Sequence, residues 1–415
     1  MDKSNPLTDL AAELPDGEAF LTAITKPFRR AVRVHPRRGE PTGWGTLLSV
    51  PWNPHGRFTA ATCDPGDYLD YHTGTCYPQD AASQVPVLLL APQPGETIID
   101  ACAAPGSKTT QIGLALGDDG LIVCCDSAAP RRQVLAENLA RQGITCAVVT
   151  PMPLHVLAER HPHVADGVLV DAPCSGHELR SVKQIARMAE RQLTILNQAA
   201  LLVTGGGRLV YSTCTPYQAE NESVIQRFLA AHPGWQVIPS ILPGCDTDLS
   251  GLGAIRLWPQ RQGTEPFFAC LLRAPEGVDG RGSLQGNVPQ RNVIVERWLE
   301  NSALYGWYNG RSYFIASQQA ASCALPSEAR GLILMHGEHD IEPWAAQALM
   351  DRGASAQVIT KAQALALWSG QPQIFPESET ILARSETGAP IGVLTGPTSA
   401  RRLQMPSRLL RQKLL

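Results

Sequence analysis

Residues 96–116 read ETIIDACAAPGSKTTQIGLAL. A short apolar run ends at Asp100, a turn of small residues follows, and the pattern after Gly106 predicts a helix. Small residues in such a turn let backbone N–H groups approach a ligand, and the helix N-terminus favours negative charge. A nucleoside triphosphate loop needs Gly directly before Lys and another Gly five residues earlier. Here Ser107 separates Gly106 from Lys108 and the earlier Gly is missing. No GxGxxG occurs either, which argues against a dinucleotide. A mononucleotide-like cofactor with a carboxylate suits the turn.

The pattern repeats outward. GLIVCCD (120–126) is the next strand, and APRRQVLAENLARQG (129–143) is a helix stopped by Gly143. CAVVT (146–150), GVLVDAPC (167–174) and RLVYSTC (208–214) are strands, and WQVIPS (235–240) and EPFFACLLR (265–273) look like the last two. IARMAERQLTILNQAALLVTGGG (185–207) reads as a long helix ended by three glycines, and QAENESVIQRFLAAHPG (218–234) as another. Alternating strands and helices predict an α/β fold with a Rossmann-like, doubly wound sheet of seven strands. Ligands bind outside the carboxyl ends of such strands. Asp126, Asp171, Cys174 and Cys214 all fall at or just past strand ends and should converge on one crevice.

The 415 residues allow two or three domains. We expect an N-terminal α+β domain over 1–93, the sheet domain over 94–275, a Gly/Pro-rich linker over 276–292 and a further region over 293–415. KPFRRAVRVHPRRG (26–39) carries six basic residues on an alternating pattern. It is either a solvated edge strand or an RNA-facing one. The net charge of −3 means that any nucleic-acid surface is local. Eleven scattered cysteines without a CxxC pair argue for reduced thiols in the cytoplasm. Cys124 and Cys125 read as packing residues. MHGEHD (335–340) is not HExxH, so no metal is expected. No signal peptide, membrane span or obligate protein partner is evident.

An acid 26 residues after Asp100 commonly bonds ribose hydroxyls; Asp126 is that residue, or else a helix N-terminal acid. The two cysteines fit a particular chemistry. A thiolate can add to carbon 6 of a pyrimidine, which makes carbon 5 nucleophilic toward a sulfonium methyl. The scheme needs a thiolate, an acid group at the ring and a base. Two Cys and an Asp at neighbouring strand ends supply that set.

With DACAAPGSKTT, DAPCSG and LVYSTCTPYQAENE on the page, the chain resembles the Sun/Nop (RsmB/RsmF) family of RNA cytosine-5 methyltransferases, which use S-adenosylmethionine. YPQDAASQVPVLLL and GTEPFFACLLR are similar to further family segments, so the resemblance spans about 19–274. LALWSGQ and GAPIGVL with RRLQMPSRLL resemble the PUA-like C-terminal region of RsmF-type 16S rRNA methyltransferases. The resemblance implies that Cys214 is the nucleophile, that Cys174 assists product release, and that Asp171 holds the cytosine ring beside the cofactor's methionine end. It also implies that Cys102, Ala103, Ala104, Pro105, Gly106, Ser107, Lys108 and Asp126 bind S-adenosylmethionine, with Arg131 nearby. Arg180, Lys183, Arg187 and the tail 401–413 would meet RNA phosphates.

The chain departs from the family pattern in three places. Pro153 stands where an adenine-binding acid is usual, SGHELRSVKQ lacks a second glycine and places His177 there, and His35 replaces an Asn. The implied substrate is 16S rRNA or the small subunit, with tRNA next. An RNA-binding assembly factor without turnover is the rival of a different class. A DNA cytosine methyltransferase, which would use the Pro-Cys thiol alone, is a third.

Overall fold

The computed structural model describes residues 5–277 apart from 42–43 and 61–63. Beyond them it describes 282–291, 304–308, 312–336, 340–341, 349–351, 357–359, 363, 381–385, 390–395 and 402–404. Helices α1 (Pro6–Glu13) and α2 (Gly17–Ala23) precede strands β1 (Ala31–Val34), β2 (Leu48–Val50) and β3 (Asn53–Phe58), helix α3 (Leu69–His72) and strand β4 (Cys76–Pro78). The four strands form a small antiparallel sheet in the order β2-β3-β1-β4. Strand β1 is therefore central rather than an edge, and all four of its residues are buried. Both readings of the basic segment fail at Arg33. Its guanidinium donates to Gln79 Oε1, Ser107 O (2.7 Å) and Thr110 Oγ1 (2.8 Å), and so ties the small sheet to the first turn of the helix at 107–116. Arg38 is 1% exposed; it donates to Thr73 O and Arg141 O and pairs with Asp351 at 2.6 Å. Lys26, Arg29, Arg30 and Arg37 are the exposed cations of the segment.

Helix α4 (Val85–Leu90) leads into the large sheet. Its elements are β5 (Thr97–Asp100), α5 (Ser107–Leu116), β6 (Leu121–Cys125), α6 (Ala129–Arg141), β7 (Ala147–Thr150), α7 (Leu154–Arg160), β8 (Ala165–Asp171), α8 (Val182–Ala200) and β9 (Val203–Thr213). They continue with α9 (Glu222–Ala231), β10 (Gln236–Val237), β11 (Asp246–Thr247), β12 (Ile255–Leu257), α10 (Pro259–Gln262) and β13 (Phe267–Arg273). After these come β14 (Tyr305–Tyr308), β15 (Ser312–Ala316), α11 (Gln318–Ser322), β16 (Ala329–Arg330), β17 (Leu332–His336) and β18 (Asp340–Ile341).

The sheet has ten strands, not seven, in the order β11-β12-β13-β9-β8-β5-β6-β7-β16 with β10 beside β13. Strands β5 to β9 are parallel, and β13 runs antiparallel to β9. The expected seven correspond to the middle of this order, with one exchange. WQVIPS supplies only the two-residue β10, and the strand next to β13 is Ile255-Arg256-Leu257. The additions β11 and β16 are two residues long and β12 three, and none carries an apolar run by which to recognise it.

The parallel strands are continuous apolar runs because helices cover both faces. Ile99, Val123, Val148, Val168 and Val170 pack on one face with Leu196, Val224 and Phe228 of α8 and α9. Ile98, Ile122, Cys124, Val149 and Leu169 pack on the other with Ile112 and Leu135 of α5 and α6. Cys125 and Cys124 thus fall on opposite faces and are both buried. Helix α6 ends as expected, with Gly143 at φ 67° and its N–H on Ala140 O. The three glycines at 205–207 do not end α8. They lie inside β9, where the pairing with β8 shifts register between Ala165 and Gly167. Their lack of side chains hides the strand from a pattern reading.

The C-terminal strands form two small sheets, β14-β15-β17-β18 and a second from 357–359, 381–385, 390–395 and 402–404. Strand β16 joins the edge of the large sheet at β7, and Arg132 and Glu328 clasp the junction with two bonds of 2.7 Å. The apolar run PQIFP (372–376), LALWSGQ, residues 337–339 of MHGEHD and most of the basic tail lie outside the described residues.

Candidate active site

The carboxyl ends of β5, β6, β7 and β8 open into a cavity of about 680 Å³. Ala101, Cys102 and Ala104 wall it from the turn after β5; Asp126, Ser127 and Arg131 from the end of β6; Met152, Pro153, Leu154 and His155 from the end of β7; Asp171 to Glu178 and Arg180 from the end of β8. Cys214, just past β9, closes it. Asp126, Asp171, Cys174 and Cys214 are therefore together, as their places at strand ends required.

The loop 102–108 divides its tasks. Cys102 and Ala104 face the cavity, while Ala103 N–H bonds Cys125 O (2.9 Å) and Thr109 Oγ1 bonds Ala103 O (3.0 Å). Asp100 accepts from Cys102 N–H (3.3 Å) and Thr109 Oγ1 (2.7 Å), and burial pushes its carboxyl up to about 7. Pro105 O accepts from Asn138, and Ser107 O from Arg33. Gly106 sits at φ 111°, and a Cβ there would come within 2.9 Å of Leu135 Cδ1. Only glycine meets both demands without strain. Lys108 is buried; its Nζ donates to Asp171 Oδ2 (2.7 Å) and Ser83 Oγ (2.8 Å). The turn lysine thus aims at the carboxylate beside the thiols. Asp126 accepts from Ala128 N–H (3.0 Å) and pairs with Arg131 (3.1 Å), whose other nitrogen reaches Ala104 O.

Asp171 is held from two sides, since Ser212 Oγ donates to its Oδ1 at 2.8 Å. Past it, Cys174 Sγ and Cys214 Sγ are 3.3 Å apart, too far for a disulfide. All ten described cysteines are free. The Cys174 thiol is held below its ordinary range by its hydrogen-bond contact with Cys214 Sγ and by the backbone N–H groups of Gly176 and Cys214, against the opposing effect of burial. Cys214, the other partner in that contact and buried, is pushed up. Of the two thiols, Cys174 is therefore the more readily ionised.

Several residues at the site escaped the sequence reading. Glu220 Oε2 accepts from Ser175 N–H (3.0 Å) and from Gln192 Nε2 (2.6 Å), and Gln192 also reaches Pro173 O (3.0 Å). These bonds pin the Pro-Cys turn. Gln192 gave a signal: it occupies a core position of α8 with Ile185, Ala189, Leu196 and Ala199. Met152, Leu154, His155 and Arg191 gave none, because only the fold brings them to the cavity.

The residues present fit S-adenosylmethionine. The carboxylate at the end of β6 suits vicinal hydroxyls, the apolar wall at Met152–Leu154 suits a purine ring, and the far end reaches Asp171 and the thiols. The wall at Met152–His155 carries no acid, in line with Pro153.

A doubly wound sheet with an antiparallel strand at β13 and a nucleoside-sized crevice at its strand ends is the architecture of the methyltransferase-like α/β proteins, and here two thiols stand in that crevice. Residues 87–273 match the family described as 16S rRNA methyltransferase RsmB/F. The chain is 32% identical over 289 residues to the ribosomal RNA small subunit methyltransferase F of Klebsiella pneumoniae, covering 63% of this chain and 60% of that one. It is 31% identical over 306 residues to the protein of the same name from Escherichia coli O157:H7, covering 66% and 63%. A methyltransferase homologue from Pyrococcus horikoshii, solved by crystallography, superposes with a TM-score of 0.58 at 28% identity, covering 64% of this chain and 93% of that one. The chain is similar to the RsmB/F family over residues 87–273. It spans about six-tenths of the length of these curated relatives.

Proposed function

We propose that this protein methylates carbon 5 of a cytosine in structured RNA, with S-adenosylmethionine as donor and 16S rRNA as the substrate. The observation that carries the reading is the 3.3 Å contact between Cys174 and Cys214 beside Asp171 at the cofactor-sized cavity. The names of the curated relatives support the choice of RNA. Residues 1–93 and the PUA-like region at 293–415 would flank the catalytic sheet and bind that RNA.

When bound, S-adenosylmethionine supplies an electrophilic sulfonium methyl. Cys102, Ala104, Asp126 and Arg131 would hold it, with the loop 103–108 shaping the turn. Asp171, fixed by Lys108 and Ser212, holds the cytosine ring. Cys214 Sγ adds to carbon 6 as its proton passes to Cys174 Sγ. Carbon 5 then takes the methyl. Loss of the carbon-5 proton to solvent and cleavage of the carbon–sulfur bond restore the aromatic ring, and Cys174 returns its proton to the departing Cys214 sulfur. The target base must leave its stack to reach a thiol this deep.

The test is methyl transfer from labelled cofactor to total RNA of a strain lacking the gene, with the modified base mapped. One 5-methylcytosine in 16S rRNA is the expected result. Methylation of tRNA alone would move the substrate. No incorporation by folded, RNA-binding protein would favour an assembly factor, which the acid-free wall at Pro153 would then explain.

Asp126→Asn keeps an acceptor for Ala128 N–H but removes the charge. Hydrogen bonds to charged groups contribute about 1.5–3 kcal/mol. Calorimetric titration should show cofactor affinity falling roughly tenfold or more at unchanged melting temperature. Unchanged affinity would leave Asp126 with only its helix-start role.

A further inference from the structure

We propose that Leu179 and Val182 form an apolar wedge that enters the RNA stack where the target cytosine leaves it. The inference rests on the reading of the chain as an RNA cytosine methyltransferase. Both side chains are 60% exposed, among the few large apolar groups so placed in the described residues. They stand on the segment that runs from the cavity wall to the start of α8: His177, Glu178 and Arg180 line the cavity directly beside them. An enzyme that extrudes a base has to hold the vacated stack open, and apolar side chains between base steps do this.

The segment is rigid, which a wedge requires. Tyr217 O–H donates to Glu178 O (2.8 Å) and accepts from Arg180 N–H (3.3 Å). Arg180 Nε reaches Ser175 O (3.2 Å), so the segment is tied to the Pro-Cys turn. Ser181 and Gln184 close a reciprocal cap at the start of α8. The two tips are thus held at a set place relative to Cys174 and Cys214.

Charge complementarity selects the occupant. Lys183, Arg187 and Arg191 recur every four residues, which places them in one stripe along α8, and Arg191 lines the cavity. Arg180 adds a fourth cation, partly offset by its bond to Glu178 at 2.8 Å. Two apolar tips beside a basic stripe that leads to the thiols fit a polyanion whose bases can be parted. They do not fit an apolar protein face.

The experiment uses the full chain and two hairpins that carry the mapped cytosine, one with it paired in the stem, one with it bulged. Leu179→Ala with Val182→Ala removes exposed side chains, and cofactor titration checks that the variant is folded. We expect kcat/KM on the paired hairpin to fall roughly tenfold more than on the bulged one, with 2-aminopurine fluorescence next to the target rising less on binding. The larger isostere pair Leu179→Met with Val182→Ile should restore the ratio. Equal losses on both hairpins, or none, overturn the wedge. A loss seen only with assembled ribosomal particles and not with naked hairpins also overturns it and assigns the tips to a protein contact. Absence of transfer by the unaltered protein on either hairpin counts instead against the underlying function.

Discussion

Cys214→Ala loses methyl transfer by at least roughly 10³-fold and forms no covalent complex with RNA, whereas Cys174→Ala forms the complex and accumulates it. Gel electrophoresis under denaturing conditions, with labelled RNA, reads both. The asymmetry follows from the places of the two sulfurs. Cys214 lies past β9, next to the strand that carries Ser212 and so beside the Asp171 anchor. Cys174 lies in a turn pinned by Glu220 and Gln192, 3.3 Å from Cys214 Sγ, and its thiol is held below its ordinary range, which suits it to take up the Cys214 proton. Without Cys174 the addition can still occur through water at a lower rate. The return of a proton to the departing sulfur is then missing, and the adduct persists. The reverse pattern, an adduct formed by Cys174 and trapped in Cys214→Ala, would transfer the chemistry to the order expected of a DNA enzyme.

Arg256→Ala should destabilise the protein by about 3–5 kcal/mol. Arg256 is fully buried; its Nε and Nη2 meet the two oxygens of Glu222 at 2.9 and 2.6 Å, and Nη1 reaches Pro216 O at 3.2 Å. Trp258 and Phe268 flank the guanidinium at 5.0 and 5.1 Å. Removing one partner leaves the Glu222 carboxylate buried without its counter-charge, and that desolvation dominates the loss. Replacing both, with Arg256→Met and Glu222→Leu, should recover most of it, because a buried pair exceeds a well-packed apolar pair little or not at all. Urea denaturation of the unaltered protein and the two variants separates the cases, and a loss under about 1 kcal/mol for Arg256→Ala would refute the argument. Pro216 stands two residues past Cys214, so the single variant should also weaken methyl transfer in the fraction that remains folded.

Arg256 also shows where pattern reading stops. Ile-Arg-Leu is too short and too polar to announce a buried strand, and it becomes one only because Glu222, on α9, meets its charge. The same holds for Arg33 and Arg38. On the chain they look like a basic face, yet Ser107, Thr110, Thr73 and Asp351 absorb their donors inside the protein. The Lys108 side chain, placed by its motif in a cofactor turn, bends to Asp171 63 residues away.

Local chemistry sufficed elsewhere. Apolar runs marked β5 to β8 and the second half of β9 as strands, and the small residues of the turn at 101–106 and Gly143 marked where the chain reverses. The polar residues at the run ends located Asp126, Asp171, Cys174 and Cys214, since strand ends of a parallel sheet share one rim. Periodicity and turn chemistry act between neighbours, so they are written in consecutive residues. The partner of a buried charge, the 3.3 Å meeting of two thiols and the edge strands depend on which distant segments the topology lays side by side. No short stretch of sequence carries that.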